Sequence, residues 1–300
     1  MWTFPMSMLL ATLLTFGRLS SSSEITAMKS CGISFGRIAA PAIVLGFIFS
    51  FCAILFNEHV VPWANSAGND VFYFEIQGNT ELKSQDHIIV KEISNNQIQR
   101  LVYAREYRAN DETLQGVTMQ EFNDVGKISH VENAAYAEWR DDVWIMHDGT
   151  IYDISEDERT RTLHFEKQIL PVKASPMQIV REQKRPDELT MNELKAQIEI
   201  MKTQYANTAK LETELYQRVS VPMASLIFAL IGVPLGLQPT RNSSSMGFAL
   251  SVIIIFIYYA IMTLSNALAR GGIVEPFFAV WIPNIVGLIF GAILIRRASN

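Results

Sequence analysis

The sequence predicts an α-helical membrane protein with an inserted all-β, jellyroll-like domain exposed on one side of the membrane. Three observations carry this reading. Residues 38–56, 219–237, 246–269 and 277–295 are apolar and lack charged side chains. Each run is long enough to cross a hydrocarbon core of about 30 Å at roughly 1.5 Å per residue. Charge is segregated: residues 57–215 hold 28 of the 30 acids and 17 of the 25 cations, a net of −11, and the remainder is net +6. Within the acidic part, short alternating segments lie between turn residues, which is a strand pattern.

These facts exclude several functions. An acidic exposed domain would repel phosphate, which disfavours nucleic-acid binding. No G-x-x-x-x-G-K-[ST] is present, so the chain does not hydrolyse nucleotide through a P-loop. It has no H-E-x-x-H and no paired cysteine motif; Cys31 and Cys52, the two cysteines, lie outside the acidic domain and imply no disulfide framework.

In chain order, residues 1–16 are apolar but have no preceding cation, so they do not read as a signal peptide. They read as the end of a span delivered to a polar loop at 17–37. That loop carries Arg18, Lys29 and Arg37 against Glu24, the cationic bias of a cytoplasmic loop. A short helix is expected inside it. Ser21 would N-cap it, with Glu24 completing an S-x-x-E capping box and Gly32 providing a left-handed stop. Ile25 and Met28 would share one face. Residues 38–56 then cross outward, 57–215 lie outside, and 219–237 return to a loop holding Arg241. Residues 246–269 cross outward and 277–295 return to Arg296 and Arg297, which makes every inner loop net positive. This order leaves the N-terminus outside with no polar flank, so a preceding span is expected.

The exposed domain is expected to begin after Pro62. Strands are predicted at 71–76, 87–93, 99–107, 117–122, 128–140, 143–147, 150–154 and 163–172, forming a sandwich or jelly roll. Asp148-Gly149 signals a hairpin, and Arg140-Asp141-Asp142 a second turn. After Pro176 the pattern becomes helical. Thr190 and Glu193 form a capping box, and Leu194, Ile198, Met201 and Tyr205 fall on one helical face. Another helix from about Thr208 runs into the span at Val219. The expected organisation is 1–56, two spans with the short helix at 21–31; 57–175, the β domain; 176–215, a helical connector; and 216–300, three spans.

Little here resembles catalysis. His59, His87, His130, His147 and His164 are scattered without ligand spacing and read as ordinary strand or loop residues. Glu156-Asp157-Glu158 reads as a solvated turn, and Ser20–Ser23 as helix punctuation. No acid or cation sits mid-span, so an ion relay is unsupported. Thr263, Ser265, Asn266 and Asn284 are the notable polar residues there, and Pro222, Pro234 and Pro283 permit kinks. The aromatic residues Phe256, Tyr258 and Tyr259 sit on large apolar faces that suit an acyl-chain ligand and suit plain lipid contact equally well.

GRLSSSSEITAMKSCGIS after an apolar span, GVTMQEF, HDGTIYDI, DELTMNELKAQIE and RVSVPMASLIFALIGVPLG together resemble the LptF/LptG (YjgP/YjgQ) permeases, in the same order and across essentially the whole chain. The resemblance implies a non-catalytic subunit of an ABC-type lipopolysaccharide exporter in the bacterial inner membrane, without a cofactor. It implies pairing with a second LptF/LptG-type permease, a cytoplasmic ATPase dimer like LptB, and a periplasmic protein like LptC. Family members have six spans with a periplasmic β-jellyroll between the third and fourth, so the five spans here would be the second to sixth. The family's coupling helix falls on 21–31. Glu24 would meet an arginine of the ATPase, with Ile25, Ala27 and Met28 beside it, and Phe256, Tyr258 and Tyr259 would be candidates for the lipid cavity. Two rival readings are a permease for another amphiphile, such as a lipoprotein, and a membrane-anchored enzyme acting through the exposed domain.

Overall fold

The structure, a computed structural model, describes residues 2–71, 84–94, 97–123, 127–154, 160–172, 174–176, 178–179, 184–237 and 244–299. It divides into two compact units, Met1–Ala67 with Pro186–Asn300, and Gly68–Arg185. Arg241, the Glu156–Glu158 cluster and positions 72–76 of the first expected strand lie outside the described residues.

The first unit is helical: α1 (Thr3–Ser21), α2 (Glu24–Ser30), α3 (Phe35–Asp70), α4 (Met191–Thr203), α5 (Ala209–Gly236), α6 (Ser244–Arg270) and α7 (Pro276–Ser299). Among the described residues four segments are long and apolar enough to cross a membrane: Phe35–Asn69, Ala209–Gly236, Gly247–Arg270 and Pro276–Ala298. The chain is thus a helical membrane protein. α5 is the central helix, with 72% of its most apolar stretch buried against 17% for α6. Glycines let α1 approach it closely. A Cβ on Gly236 would lie 2.8 Å from Phe16 Cβ and 3.2 Å from the Gly17 nitrogen, so any side chain there would push the helices apart.

Two helices end away from their expected positions, one later and one earlier. α3 continues through Pro62 to Asp70, so helix rather than strand follows Pro62. α4 has the predicted capping box, with Thr190 accepting from the Glu193 amide and the Glu193 carboxylate accepting from the Thr190 amide. Leu194, Ile198 and Met201 are buried as the spacing demands, but Tyr205 is 99% exposed. The helix stops at Thr203 and Tyr205 takes a positive φ of 53°, which ends the periodicity one step early.

The second unit is all-β. Its strands β1 (Gln85–Ser94), β2 (Gln97–Arg108), β3 (Thr113–Phe122), β4 (Ile128–Arg140), β5 (Val143–Ile154) and β6 (Thr160–Leu170) form one antiparallel sheet in sequential order. Among the described residues there is none of the strand crossover of a Greek key. Asp141 and Asp142 make the β4–β5 turn as expected, both at positive φ (51° and 62°) with Arg140 opposite Val143, the geometry of a two-residue primed turn. Asp148-Gly149 is not a hairpin. β5 runs unbroken through it, paired with β4 on one side and β6 on the other. Asp148 still takes the left-handed conformation (φ 51°), and the Phe165 ring crosses so close to Gly149 that a Cβ there would collide with it. The dipeptide serves a bend inside a strand, using the same conformational freedom a turn requires.

The β core gathers Val102, Ala104, Tyr107, Leu114, Val117, Met119, Trp144 and Met146, with Ile179 from the returning chain packed against them. Trp144 Nε1 donates to the Ala174 carbonyl at 2.9 Å. Tyr107 is completely buried and its hydroxyl has no hydrogen-bond partner among the described residues. Burial, reinforced by Glu112, pushes its phenol up to about 12. A raised folded-state value means that the domain keeps this stability below the ordinary tyrosine value of about 10 and loses it as pH rises toward the folded value. Tyr107→Phe should therefore be neutral or stabilising by about 1 kcal/mol at neutral pH. It should also blunt the loss of stability between pH 10 and 12, followed by tyrosinate absorbance and chemical denaturation.

Candidate functional site

Two regions carry chemistry that plain lipid contact does not explain. The first is the short helix α2. The sequence places its N-cap at Ser21, but α1 runs on through the serines to Ser21, whose hydroxyl donates back to the Arg18 carbonyl at 2.8 Å. The residue before α2 is Ser23, in a left-handed conformation (φ 62°) with no side-chain cap bond. The expected Ser21–Glu24 capping box is therefore absent. Serines that bond to carbonyls three or four residues back remain compatible with helix, and nothing at 17–21 breaks α1 earlier.

The end of α2 is built as predicted. Gly32 takes φ 82°; its amide donates to the Lys29 carbonyl at 2.9 Å and the Ile33 amide to the Met28 carbonyl at 3.1 Å. This is a Schellman closure. Met28 and Ile33 join the cluster of Phe16, Ile25, Phe35, Ile38, Ala39, Ala42 and Val233, which also takes in Ile295 and Ala298. Ile25 is buried and Met28 half-buried, whereas Glu24, Thr26, Ala27 and Ser30 are exposed. Lys29 Nζ donates to the Ala298 carbonyl at 3.4 Å. α2 is thus fastened through one face to α1, α3, α5 and α7, and its other face is open. On that open face the Glu24 carboxylate accepts from the Ser22 hydroxyl at 2.7 Å.

The second region lies around Pro222 in α5. Proline has no amide hydrogen, so the Arg218 carbonyl loses its helical donor. Asn57 of α3 supplies a substitute, its Nδ2 donating to the Arg218 oxygen at 3.3 Å. Two residues on from Arg218, Asn284 Nδ2 of α7 donates to the Ser220 carbonyl at 2.8 Å and to the Ser220 hydroxyl at 2.9 Å. The Ser220 hydroxyl donates to the Val280 carbonyl, and the Tyr258 hydroxyl of α6 donates to Asn284 Oδ1 at 2.9 Å. A buried polar chain therefore ties α5, α6 and α7 together beside the proline whose freed carbonyl α3 satisfies. Asn284 shows in the sequence as a polar residue in an apolar run; Asn57 and Ser220 were missed. The usable signal is the proline, which always frees a carbonyl four residues earlier.

Arg218 is fully buried and donates through both terminal nitrogens to the Leu189 and Pro186 carbonyls. Glu58 of α3 accepts from the Met191 amide at the start of α4 at 3.0 Å. A cation thus meets carbonyls and an anion meets a helix N-terminus, which holds α4 onto the ends of α3 and α5.

The three aromatic candidates do not share one environment, although the Tyr258 and Tyr259 rings meet edge-on with centroids 5.4 Å apart. Tyr258 is buried against Phe228, with ring centroids 4.8 Å apart. Tyr259 stacks on Trp2 and donates to its carbonyl at 3.2 Å. Phe256 is 73% exposed. Among the described residues no group of three or more His, Cys, Asp or Glu could hold a metal ion.

The family described as lipopolysaccharide export system permease LptF/LptG matches residues 1–297. Similar proteins include the lipopolysaccharide export system permease protein LptG of Haemophilus influenzae, 19% identical over 99% of this chain and 82% of the relative. The permease protein LptF of Escherichia coli K12 is 20% identical over 97% of this chain and 77% of the relative.

Proposed function

The chain belongs to the LptF/LptG family of lipopolysaccharide export system permeases, and from that premise we propose that it is one membrane subunit of an ABC-type exporter in the bacterial inner membrane. In this reading it extracts lipopolysaccharide and passes it to a periplasmic bridge beginning with an LptC-like protein. A second LptF/LptG-type subunit completes the permease, and an LptB-like ATPase dimer hydrolyses ATP on the cytoplasmic side. The observation that carries the reading is the mounting of α2. A helix fastened on one face to four others and open on the opposite face can receive a push from a partner and deliver it to α1, α3, α5 and α7 as a rigid body. Glu24 and Ala27 are on the open face and make the partner contact; Ile25 and Met28 transmit it inward. The aromatic residues Phe256, Tyr258 and Tyr259 remain the candidates for the cavity wall, with Phe256 the one presented outward.

The test is co-purification from native membranes with and without the ATPase and a second permease subunit, followed by mass spectrometry of bound lipid. Lipid A-containing species and lipopolysaccharide-stimulated ATP hydrolysis are expected. Enrichment of lipoprotein instead would turn the reading to another amphiphile, and an absence of ATPase association would overturn it.

A further inference from the structure

The six strands of the β unit share one irregularity. The ladder passes over a single row, and the register is the same on both sides of it. Ala104 pairs with Val117 and Glu106 with Gln115; Val117 pairs with Ala134 and Gln115 with Tyr136. Ala134 pairs with Gly149 and Tyr136 with His147; Gly149 pairs with Phe165 and His147 with Lys167. The omitted row crosses the sheet through Arg105, Gly116, Ala135, Asp148 and Glu166, in line with His87 on β1. On β1, β3 and β5, which run in the same direction, its residues have positive φ: 58° at His87, 59° at Gly116 and 51° at Asp148. Across the row the buried positions step by three rather than two, from Ala104 to Tyr107, Val117 to Leu114, and Ala134 to Ala137. Side-chain parity in a strand has a period of two, so the row divides the sheet into two leaves.

The leaves face each other. Glu132 lies in the row of Ile151, on one leaf; Gln168 lies in the row of Met146, on the other. Along a flat strand those rows would be about 17 Å apart at roughly 3.3 Å per residue, with β5 between the two side chains. Gln168 Nε2 nevertheless donates to Glu132 Oε1 at 2.8 Å, so the sheet is folded along the row. Core residues of both leaves form one cluster. Glu132 is 3% exposed, its Oε1 also meets His130 Nε2 at 2.9 Å, and its Oε2 has no partner among the described residues.

We propose that this row is a hinge and the Glu132–Gln168 bond its latch, so that the β unit opens and closes as two leaves over its apolar interior. Bending at the row changes the backbone of one residue per strand and disrupts no paired position on either side. Corners of this kind join the faces of β-sandwiches through bulges and bends. The buried carboxylate makes the latch adjustable, because its second oxygen is left to receive a further donor. Loss of a hydrogen bond to a charged group should change the open-to-closed ratio about tenfold. The inference does not depend on the identity of the cargo.

The test uses the full chain in detergent or nanodiscs with Cys31 and Cys52 replaced by serine. Spin labels go on Asp141→Cys, at the far end of the second leaf, and Arg161→Cys, at the far end of the first. Dipolar distance measurement should give one dominant separation. Gln168→Glu, which opposes two carboxylates, should add a clearly longer population, and Gln168→Leu a smaller share of it. Gln168→Lys, which offers a cation to the unpartnered oxygen, should narrow the distribution to the short distance. A control pair within the first leaf, Asn133→Cys with Arg161→Cys, should not change. Superposable distributions in all three Gln168 variants would show a fixed corner and overturn the hinge. Lengthening of the control pair together with the test pair would show unfolding and overturn it as well.

Discussion

Glu24→Arg should strip the ATPase from the permease while leaving the membrane level of the protein nearly unchanged. The structure removes the local reason for keeping an acid at this position. No capping box forms, the Ser23 side chain makes no cap bond, and the carboxylate bonds to Ser22 on an exposed surface. What remains locally is a favourable interaction with the start of a seven-residue helix, about 0.3–1 kcal/mol, which a protein with several packed spans tolerates. A carboxylate that pairs with an arginine across a dry interface is different. Truncating one partner leaves the other charge buried, at a cost of about 2–5 kcal/mol of binding, or roughly 30-fold and upward in affinity. The series should therefore run wild type, then Gln, then Ala, then Arg, in pull-down of the ATPase and in lipid-stimulated ATP hydrolysis. Gln keeps hydrogen-bonding capacity and loses charge, so a wild-type result for Gln with a strong defect for Ala would replace the ion pair with a neutral hydrogen bond. Undiminished association in Glu24→Arg would sink the coupling role altogether.

Asn284→Leu should lower the stability of the helical unit by about 1–3 kcal/mol, the usual cost of orphaning buried polar groups. The amide serves Tyr258 and Ser220 at once, and leucine of similar size serves neither. Ser220 retains its bond to the Val280 carbonyl, so the principal casualty is the Tyr258 hydroxyl, enclosed beside Phe228. Side-chain hydrogen bonds between membrane helices are often worth only about 0.6 kcal/mol; a larger loss would identify the orphaned hydroxyl as the cause. Adding Tyr258→Phe to Asn284→Leu should then recover part of the stability, a non-additivity expected for members of one network. Thermal unfolding of the four proteins of the cycle in one detergent measures it. Strict additivity would mean that Asn284 and Tyr258 do not depend on each other.

The sequence was legible where one physical cause dominates. Charge-free runs of spanning length became α3, α5, α6 and α7, since backbone in hydrocarbon must satisfy itself. Thr190 with Glu193, Gly32, and Asp141-Asp142 each did what their local chemistry favours. It was misleading where one motif serves two geometries. Ser21 and Glu24 have capping-box spacing, but the serines extend α1. Asp148-Gly149 allows a left-handed backbone, which a hairpin and an in-strand bend both require, and only pairing on both sides of β5 decides between them. Tyr205 kept the helical period past a terminus that its own positive φ creates. For the candidate site, a partner-facing role for Glu24 came only with the family resemblance, while the short helix and its Gly32 stop were readable. The links from Asn57 to the Arg218 carbonyl and from Asn284 to Ser220 were not, because they join residues more than sixty positions apart.

The point where the chain leaves the helices is also the point where it returns. Asn65 near the end of α3 donates to the Asp187 carbonyl at 3.0 Å, and Glu58 and Arg218 fix the same neighbourhood from both sides. Residues 68–185 are therefore an insertion whose two ends are already joined by the host. The entropy of closing such a loop grows only with the logarithm of its length, so the host's stability is nearly indifferent to what is threaded between these two points. During synthesis this has a cost in time rather than in stability: α3 must wait in the bilayer, its α5-facing side unmatched, until the whole insertion has been made. Between related chains it confers a freedom. The inserted domain can drift, lengthen or be exchanged while the packing of the helical unit stays solved.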